Sequence, residues 1–456
     1  MRLFLAAVLA AGLPLAAGLP LIACDDGGST PDAAPRPDAA TSADAAMAFS
    51  SLSLTWEAEP AAEGAAGEAL DLVAVVSTPA GPAAGLSLDV VVERGGGSAA
   101  ATVLTDAAGR AGIGWTLGVA PVQNRLRATV GAGSVVAVVD AVRATPLGSD
   151  GFGGVDARLT ELGVEGSTED LAFDTDGAIV LGVPGGLLRL DAAGEGDLLP
   201  THGDALVAPL GVAYDRAGNL WVADGKGLAL RRVSPDGEVT TALTEVDGAP
   251  LEGPNYVAVG PDGHVYLSDP CRGLIARYDP AAGAVVATQA FDLPTEGGPN
   301  GLAFDAEGAL WLATENTVLT CRHTGIAALD APLAGLFRVP ITADGFGPHE
   351  AVEAGLGVFG DGVAIDAEGN IYAIFDGVVG LQLSESAVWV RRAEGGPMSR
   401  LAVADGAIYA NLAFGTAPFG ETSIYLSLLA IPPFTPASAR GVQRVEVGLP
   451  GRPLLP

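Results

Sequence analysis

After residue 149 the chain repeats a short pattern of apolar and polar positions. Each unit has an apolar run, a turn with an acidic residue and a glycine, and a second apolar run. Successive turn glycines are 41, 45, 45, 61 and 37 residues apart, and they are Gly177, Gly218, Gly263, Gly308, Gly369 and Gly406. Six units of this period predict four-stranded blades that bury their faces only against their neighbours. The pattern therefore predicts an all-β fold, with a six-bladed β-propeller over residues 155–456.

The sixth unit lacks an obvious outer strand. The chain ends soon after its third apolar segment, Gly441–Val445, whereas residues 156–163 (DARLTELG) precede the first unit. An unpaired strand edge is a liability that closed folds avoid. We therefore expect residues 156–163 to form an N-terminal strand that completes the sixth blade and closes the ring.

Residues 48–145 form a second β region with a different rhythm. Short runs of Val, Leu and Thr are broken by Gly, Pro and Asp turns, which is typical of an antiparallel sandwich. The stretch 105–118 (TDAAGRAGIGWTLG) with NRLRA at 124–128 resembles bacterial Ig-like domains of the invasin and intimin type. That resemblance implies an Ig-like β-sandwich with Trp115 in its core, and a role as a spacer or adhesive stalk.

The N-terminus carries an export signal. Residues 1–23 have Arg2 followed by an apolar run, and they end in LIA before Cys24. The tetrad LIAC resembles the lipobox of bacterial lipoproteins, which implies a lipid on Cys24 and a place in the cell envelope, on the outer membrane or the periplasmic face. Residues 24–47 are rich in Pro, Asp, Ser and Ala, so we expect a disordered tether.

Charge and cysteines restrict the partners. Acidic residues outnumber basic ones 54 to 23, a net charge of -31, which argues against nucleic acid and leaves the N-terminal lipid as the membrane contact. Cys271 and Cys321 each follow the second strand of adjacent units. In an oxidising envelope this placement predicts a disulfide between them, and the alternative is two separate thiols.

One position of the repeat carries oxygen-bearing side chains in five of six units. Eight residues before the turn glycine, or seven in the last unit, stand Glu169, Leu210, Asn255, Asn300, Asp361 and Ser399. The first strand of each blade lines the central channel, so these side chains should converge at one mouth of the channel. Two carboxylates and two amide oxygens are the hard ligands that calcium prefers.

The strand starts GPNYVAV, GPNGLAF and FGDGVAI resemble those of the gluconolactonase-like family and its lactonase and phosphotriesterase relatives, over about 300 residues. The resemblance implies that Glu169, Asn255, Asn300 and Asp361 hold a catalytic divalent ion, normally calcium. NHL-type propellers repeat a similar strand start in which Asn or Asp only caps a turn, and Leu210 in APLGVAY has that form.

Substrate contacts are less well indicated. Where the family has an arginine and an aspartate beside the middle-blade Asn, this chain has Gly253 and Tyr256, so a less polar ester or lactone is as good an expectation as a sugar lactone. Tyr256, His323 and His349 are candidate substrate contacts, and the two histidines are otherwise solvated loop residues. Asp224, Asp269 and Asp376, which end second strands, are expected to satisfy loop amides.

Two functions follow from these expectations. The first is an envelope-anchored, calcium-dependent hydrolase of a small-molecule ester or lactone, in which Asp361 or Glu169 activates water or attacks directly. The alternative is a non-catalytic propeller with a structural calcium site, which binds a protein or glycan ligand and is displayed on the Ig-like stalk.

Overall fold

The computed structural model describes residues 52–146 and 155–452, apart from 322, 324–326, 329, 380–381, 431–434 and 437–438. The predicted signal peptide (1–23), the tether (24–47) and the lipidation site Cys24 lie outside the described residues and stay predictions. Within the described part of the chain, no helix is long and apolar enough to span a membrane.

The N-terminal region is a sandwich of two sheets. One sheet has the order β1-β3-β8-β6, and the other contains β10-β9-β5-β7. Alternation along β8 places Ala111, Ile113 and Trp115 in the shared core. The ten strands are β1 (Ser53–Trp56), β2 (Glu63–Ala65), β3 (Ala69–Thr78), β4 (Gly81–Pro82), β5 (Ser87–Arg94), β6 (Ser98–Ala99), β7 (Thr102–Leu104), β8 (Arg110–Thr116), β9 (Gln123–Val130) and β10 (Gly133–Pro146).

Six further sheets follow in chain order. The first three blades contain β11 (Leu171–Phe173), β12 (Ile179–Val183), β13 (Gly186–Leu190) and β14 (Gly196–Leu198); then β15 (His202–Gly203), β16 (Pro209–Tyr214), β17 (Leu220–Asp224), β18 (Ala229–Val233) and β19 (Glu238–Leu243); then β22 (Val257–Val259), β23 (Val265–Asp269), β24 (Leu274–Asp279) and β25 (Ala284–Ala290). A small hairpin, β20 (Glu245–Val246) with β21 (Ala249–Pro250), connects the second and third blades.

The last three blades contain β26 (Gly298–Phe304), β27 (Leu310–Glu315), β28 (Ala334–Val339) and β31 (Glu350–Gly357); then β32 (Phe359–Ile365), β33 (Ile371–Val379), β34 (Gln382–Arg391) and β35 (Ser399–Asp405); then β36 (Ile408–Phe414), β37 (Ser423–Leu429) and β38 (Gly441–Glu446). The hairpin β29 (Ile341–Thr342) with β30 (Gly345–Phe346) precedes β31. Short helical segments are α1 (Val155–Glu161), a 3-10 turn (Pro270–Arg272), α2 (Leu293–Glu296) and α3 (Thr317–Thr320).

The innermost strands of the six sheets form a closed ring. Each of β11, β16, β22, β26 and β32 contacts the inner strand of the next blade, and β36 contacts β11. The described residues from 155 onward therefore form a six-bladed propeller, in which the start of each inner strand lies at one mouth of the central channel.

The predicted closing strand is wrong. Residues 155–161 form helix α1, whose Val155 and Leu159 are buried against the sixth blade beside Val442. The apolar spacing of Val155, Leu159 and Leu162 is helical, and it outweighs the strand-like composition that suggested an edge strand. The helix is tied to the start of β38 by an ion pair of 2.6 Å between Asp156 and Arg440.

The phase of the sixth unit was also predicted wrongly. Ser399 begins β35, the outer strand of the fifth blade, and the glycine turn at Gly406 leads from β35 into β36. The inner strand of the sixth blade is therefore β36, and Ala410 takes the ring position that was given to Ser399. An outer strand and an inner strand joined by a tight acidic-glycine turn have the same local pattern as a blade's first hairpin, which explains the error.

The sandwich and the propeller share a sheet. Strand β10 pairs in parallel with β35, with Arg143 opposite Ala402, so that the sandwich extends the fifth blade. At this junction Asp140 is fully buried and forms an ion pair of 2.9 Å with Arg392. Ser399, which is buried at the same place, donates a hydrogen bond to Asp140.

Candidate metal centre at the mouth of the channel

Irregular inner strands carry the candidate ligands. The regular pairing of β26 with β27 is interrupted between Pro299 and Leu302, and that of β32 with β33 between Gly360 and Val363. Asn300 and Asp361 stand at these interruptions. A β-bulge of this kind re-aims a side chain out of the regular alternation of a strand.

A glycine after each bulge residue lets the next blade come close. A Cβ on Gly301 would lie 2.1 Å from the backbone oxygen of Asp361, and one on Gly362 would lie 2.2 Å from Oδ1 of Asn411. Close contacts between neighbouring blades at these glycines therefore bring the candidate ligand positions of the inner strands near one another. The strand starts GPNGLAF and FGDGVAI contain glycine at this place because a larger residue would separate the blades.

Asp361 lies among other carboxylates. Its surface is partly exposed, yet removal of its carboxyl from water raises the pKa well above the usual range. Repulsion from four carboxylates raises the pKa further; in decreasing order these are Glu169, Glu315, Asp376 and Asp170. Burial also raises the pKa of Glu169. The structure thus brings together the two predicted catalytic carboxylates, Glu169 and Asp361, in a group that carries several negative charges when ionised.

Glu315 is a member of this group that the sequence analysis missed. It ends β27, is 4% exposed, and accepts a hydrogen bond of 3.1 Å from Thr320. Burial raises its pKa to about 8, with a further increase from Glu169, while hydrogen bonds from Thr320 and Asn300 oppose the shift. The oxygen Oδ1 of Asn300, a residue only 2% exposed, has no hydrogen-bond partner.

The position of Glu315 in its strand, one residue later than the acids of other blades, could have identified it from the sequence. Asp224 and Asp269 accept hydrogen bonds from loop amides such as those of Ala208 and Gly253, as the sequence predicted. Aligned on the aromatic residue of the second strand, Glu315 and Asp376 each stand one position later than Asp224 and Asp269, and successive strand residues face opposite sides. Among the described residues Asp376 does not show the predicted bonds to loop amides, because its Oδ1 has no hydrogen-bond partner, and burial raises its pKa to about 7.

Tyr256 is buried in the wall of the channel. It is 9% exposed, and it lies near the side chain of Asn411 of the sixth blade, which stands opposite the third. Burial raises its pKa well above the usual range, and Asp170 and then Asp361 raise it further. Asp170 itself accepts hydrogen bonds from the backbone of Leu171 and Val212, which joins the first blade to the second. Tyr256 therefore lies next to the carboxylates as part of the wall.

Asn255 and the two histidines are less closely connected to the carboxylates. Asn255 is half-buried at its ring position, where its backbone nitrogen donates to Ser268, and no described contact joins its side chain to the carboxylates. His323 hydrogen-bonds Thr317 at 3.0 Å in the loop after β27. His349 pairs with Glu296 at 2.8 Å and packs on Phe291, so its described contacts are structural.

The structure has a disulfide between Cys271 and Cys321, whose Cα atoms are 5.3 Å apart. It joins the 3-10 turn after β23 to the end of α3 and therefore connects the third and fourth blades. A Cβ on Gly253 would lie 2.4 Å from the sulfur of Cys271. The disulfide thus occupies the space of any side chain at position 253, which explains why glycine stands where the resembled family has arginine.

The donor set fits a hard cation that is held by mixed ligands. Among the described residues, no group of three or more His, Cys, Asp and Glu side chains could hold a metal by itself. The predicted set is different in kind, since it combines the carboxylates of Glu169 and Asp361 with amide oxygens. The unpartnered Oδ1 of Asn300 beside these carboxylates is the kind of oxygen that calcium takes as a ligand.

Comparison with known proteins adds the following. No family model matches the chain. A segment of 129 residues, 24% of the chain, is 27% identical to Protein STRICTOSIDINE SYNTHASE-LIKE 3 of Arabidopsis thaliana and spans 32% of that protein, about a third of its length. Among solved structures, a gluconolactonase from Xanthomonas campestris is similar, with 17% identity over 63% of this chain and 87% of that chain and a TM-score of 0.46. The calcium-binding protein regucalcin from Agrobacterium tumefaciens is 18% identical over 63% of this chain and 92% of that chain, with a TM-score of 0.45.

Proposed function

We propose that the propeller is a calcium-dependent hydrolase that acts on a lactone or ester at the mouth of the channel. One observation supports this proposal above the others. The pKa of Asp361 is raised by burial and by four other carboxylates, among them Glu169, while the neighbouring Asn300 has an amide oxygen without a partner. Such a group is stable in its ionised form only with a compensating cation.

Glu169, Asn255, Asn300 and Asp361 would hold the ion, with water completing six to eight oxygen ligands. Bound calcium would supply a Lewis acid for the carbonyl oxygen of the substrate. Asp361 or Glu169 then takes a proton from the attacking water or attacks the carbonyl directly, and either role requires an ionised carboxylate. Burial and repulsion disfavour that form while no ion is bound, so calcium affinity, and with it the hydrolytic rate at limiting calcium, should increase with pH through the neutral range.

The walls of the mouth favour a substrate with few charges. Gly253 offers no side chain, and Tyr256 contributes a buried aromatic ring near Asn411. Among the described residues, no arginine or lysine is one of the groups with the largest influence on the pKa of Asp361, so these groups offer a sugar acid no ionic partner of the kind that the resembled family provides. A neutral ester or lactone suits these residues better.

Export and lipid anchoring belong to the same proposal. The LIAC tetrad before residue 25 suggests a lipid on Cys24, and a disulfide between Cys271 and Cys321 is consistent with an oxidising compartment. The N-terminal sandwich would then be the Ig-like module that separates the propeller from the membrane. Metabolic labelling with a fatty acid should mark the wild-type protein and leave Cys24→Ala unlabelled, and equal labelling would exclude the anchor.

The test of activity is a panel of neutral esters and lactones, with and without calcium. Hydrolysis should require the ion and should fall about 100-fold or more in Asp361→Asn, as for loss of a general base or nucleophile. Asp176→Asn is the matched control, because it removes a carboxylate whose side chain is 83% exposed on the first blade. A silent panel together with tight calcium binding would instead favour the non-catalytic binding module.

A further inference from the structure

The loop after β27 is hydrogen-bonded to a buried carboxylate that neighbours Asn300, the candidate ligand of the fourth blade. Helix α3 follows Glu315 directly, and its last residue, Thr320, donates a hydrogen bond of 3.1 Å to Oε1 of Glu315. Glu315 pairs with Gly298 on the neighbouring strand β26, two residues before Asn300, and the nearby amide of Asn300 opposes the rise in the pKa of Glu315. An amide has that influence only when its nitrogen faces the carboxylate, and this orientation leaves Oδ1 of Asn300 as the free end.

The loop is fixed at both ends of α3. At the start, Asn316 is 1% exposed; its Oδ1 accepts a hydrogen bond from the backbone of Val318, and its Nδ2 donates to the backbone of Ala328 and Ala331. At the end, Cys321 is the C-cap of α3 and is bonded to Cys271 of the third blade. Thr320 is adjacent to this covalent bond, so its hydroxyl has little freedom to leave Glu315.

We propose that Glu315 and Thr320 are positioning residues for Asn300: the disulfide-anchored Thr320 holds Glu315, and Glu315 binds the amide nitrogen of Asn300 so that its oxygen is presented to the calcium. The inference rests on the proposed calcium site and assigns a role to residues outside the predicted ligand set. Residues that orient a metal ligand in this way typically change metal affinity by about 10–100-fold when they are replaced.

Calorimetric titration of the purified protein with calcium tests this role. Thr320→Val removes the hydroxyl at nearly constant volume and should weaken calcium binding about tenfold, whereas Thr320→Ser keeps a donor and should restore most of the affinity. The matched control is Thr295→Val on α2, whose hydroxyl bonds Asp292 at 2.7 Å and has no described contact with Asn300. Thr320 is exposed, so the melting temperature without calcium should stay within about 1 °C of the wild-type value.

The coupling between the residues provides a second readout. In a Glu315→Ala background the Thr320→Val change should have no further effect on calcium affinity, since its only route to Asn300 is gone. Replacing both Cys271 and Cys321 by serine should weaken binding to a similar extent as Thr320→Val, and the triple variant should be little worse.

The outcomes separate the two proposals. Calcium binding by the wild-type protein that is unchanged within twofold in Thr320→Val overturns the positioning role and leaves the calcium site in place. Wild-type protein that binds no calcium overturns the proposed function, and the positioning role with it. Weaker binding in Thr320→Val that Thr320→Ser does not restore would also contradict the role of the hydroxyl.

Discussion

At the junction between sandwich and propeller, the buried Asp140 is 2.9 Å from the guanidinium of Arg392, whereas Asp361 at the mouth of the channel has other carboxylates for neighbours. Burial raises the pKa of both residues. At the junction the second-largest influence is the charge of Arg392, which lowers the pKa, and the pKa of Asp140 stays raised at about 6. At the mouth the next influence is repulsion from Glu169, which adds to the shift.

The junction is a structural region and the mouth is a candidate site, because the neighbours of their acidic side chains differ in charge. At the junction the charges of Asp140 and Arg392 are compensated by groups of the chain itself. Arg392 also donates to the backbone of Ala62 and Val138, and Ser399 donates to Asp140. Among the described residues, the groups with the largest influence on the pKa of Asp361 at the mouth are carboxylates, and their charge would be compensated by protons or an added cation. A buried acid with a basic partner therefore does not mark a site, whereas a cluster of desolvated acids that repel one another is a candidate for one.

The largest effect should come from breaking the pair at the junction. Asp140→Ala leaves Arg392, whose side chain is 10% exposed, without its charge partner and should cost about 3–5 kcal/mol of stability. Urea unfolding measures this cost, and Asp89→Ala, an exposed acid on β5, serves as the control with little change. A cost below about 1 kcal/mol would show that Arg392 does not depend on Asp140.

The same kind of substitution should have the opposite sign at the mouth. In EDTA at about pH 8.5, Asp361→Asn removes one of several mutually repelling charges, so the melting temperature should increase by about 2–4 °C per kcal/mol of repulsion removed. With excess calcium the wild-type protein should melt at the higher temperature. A variant that melts below the wild-type protein in EDTA would contradict the assignment of uncompensated charge to the mouth.

The dependence of stability on pH should differ with calcium. Folding raises the pKa of Glu315 to about 8 and that of Asp376 to about 7, so between their ordinary values and these pH values the folded chain binds more protons than the unfolded chain. Stability without calcium should therefore be greatest at low pH and should be lost as the pH rises towards 8. Calcium binds the ionised form and should flatten this fall. Melting curves from about pH 5 to 8.5 test it, and a stability that increases with pH in EDTA would contradict it.

The smallest effect belongs to the partly exposed charges of the junction. Arg400 pairs with Glu63 and with Glu385, each at 2.7 Å, and its side chain is 37% exposed. Arg400→Met should cost about 1 kcal/mol or less, and the cost should shrink in high salt because water already screens these pairs. Urea midpoints at low and high salt measure it. A cost as large as that of Asp140→Ala would mean that exposure does not decide the strength of these pairs.

The repeat made part of the fold predictable. Turn glycines such as Gly177 and Gly308 adopt φ near +78°, which favours glycine, so their spacing marked the blades. The same local signal occurs at Gly406 between two blades, and only strand pairing shows that Ser399 belongs to the fifth blade. The parallel pairing of β10 with β35 has no signature in either segment, because it depends on contacts between residues about 260 positions apart.

The repeat phase predicted which of the candidate side chains lie near one another. Glu169, Asn300 and Asp361 share one position of the repeat, and the structure brings them into one neighbourhood. Glu315 was not predicted, because its role depends on a one-residue shift relative to Asp269 and on the loop that places Thr320 beside it. Such a role follows from three-dimensional contacts and not from the type of residue at a repeat position.

Calorimetric titration of the purified protein at about pH 8 measures calcium binding at the mouth directly. We predict one calcium ion per chain, with binding abolished in Asp361→Asn, weakened in Glu169→Gln and unchanged in Asp176→Asn. Wild-type protein that releases no heat of binding, or Asp361→Asn that binds calcium as the wild-type protein does, would contradict it.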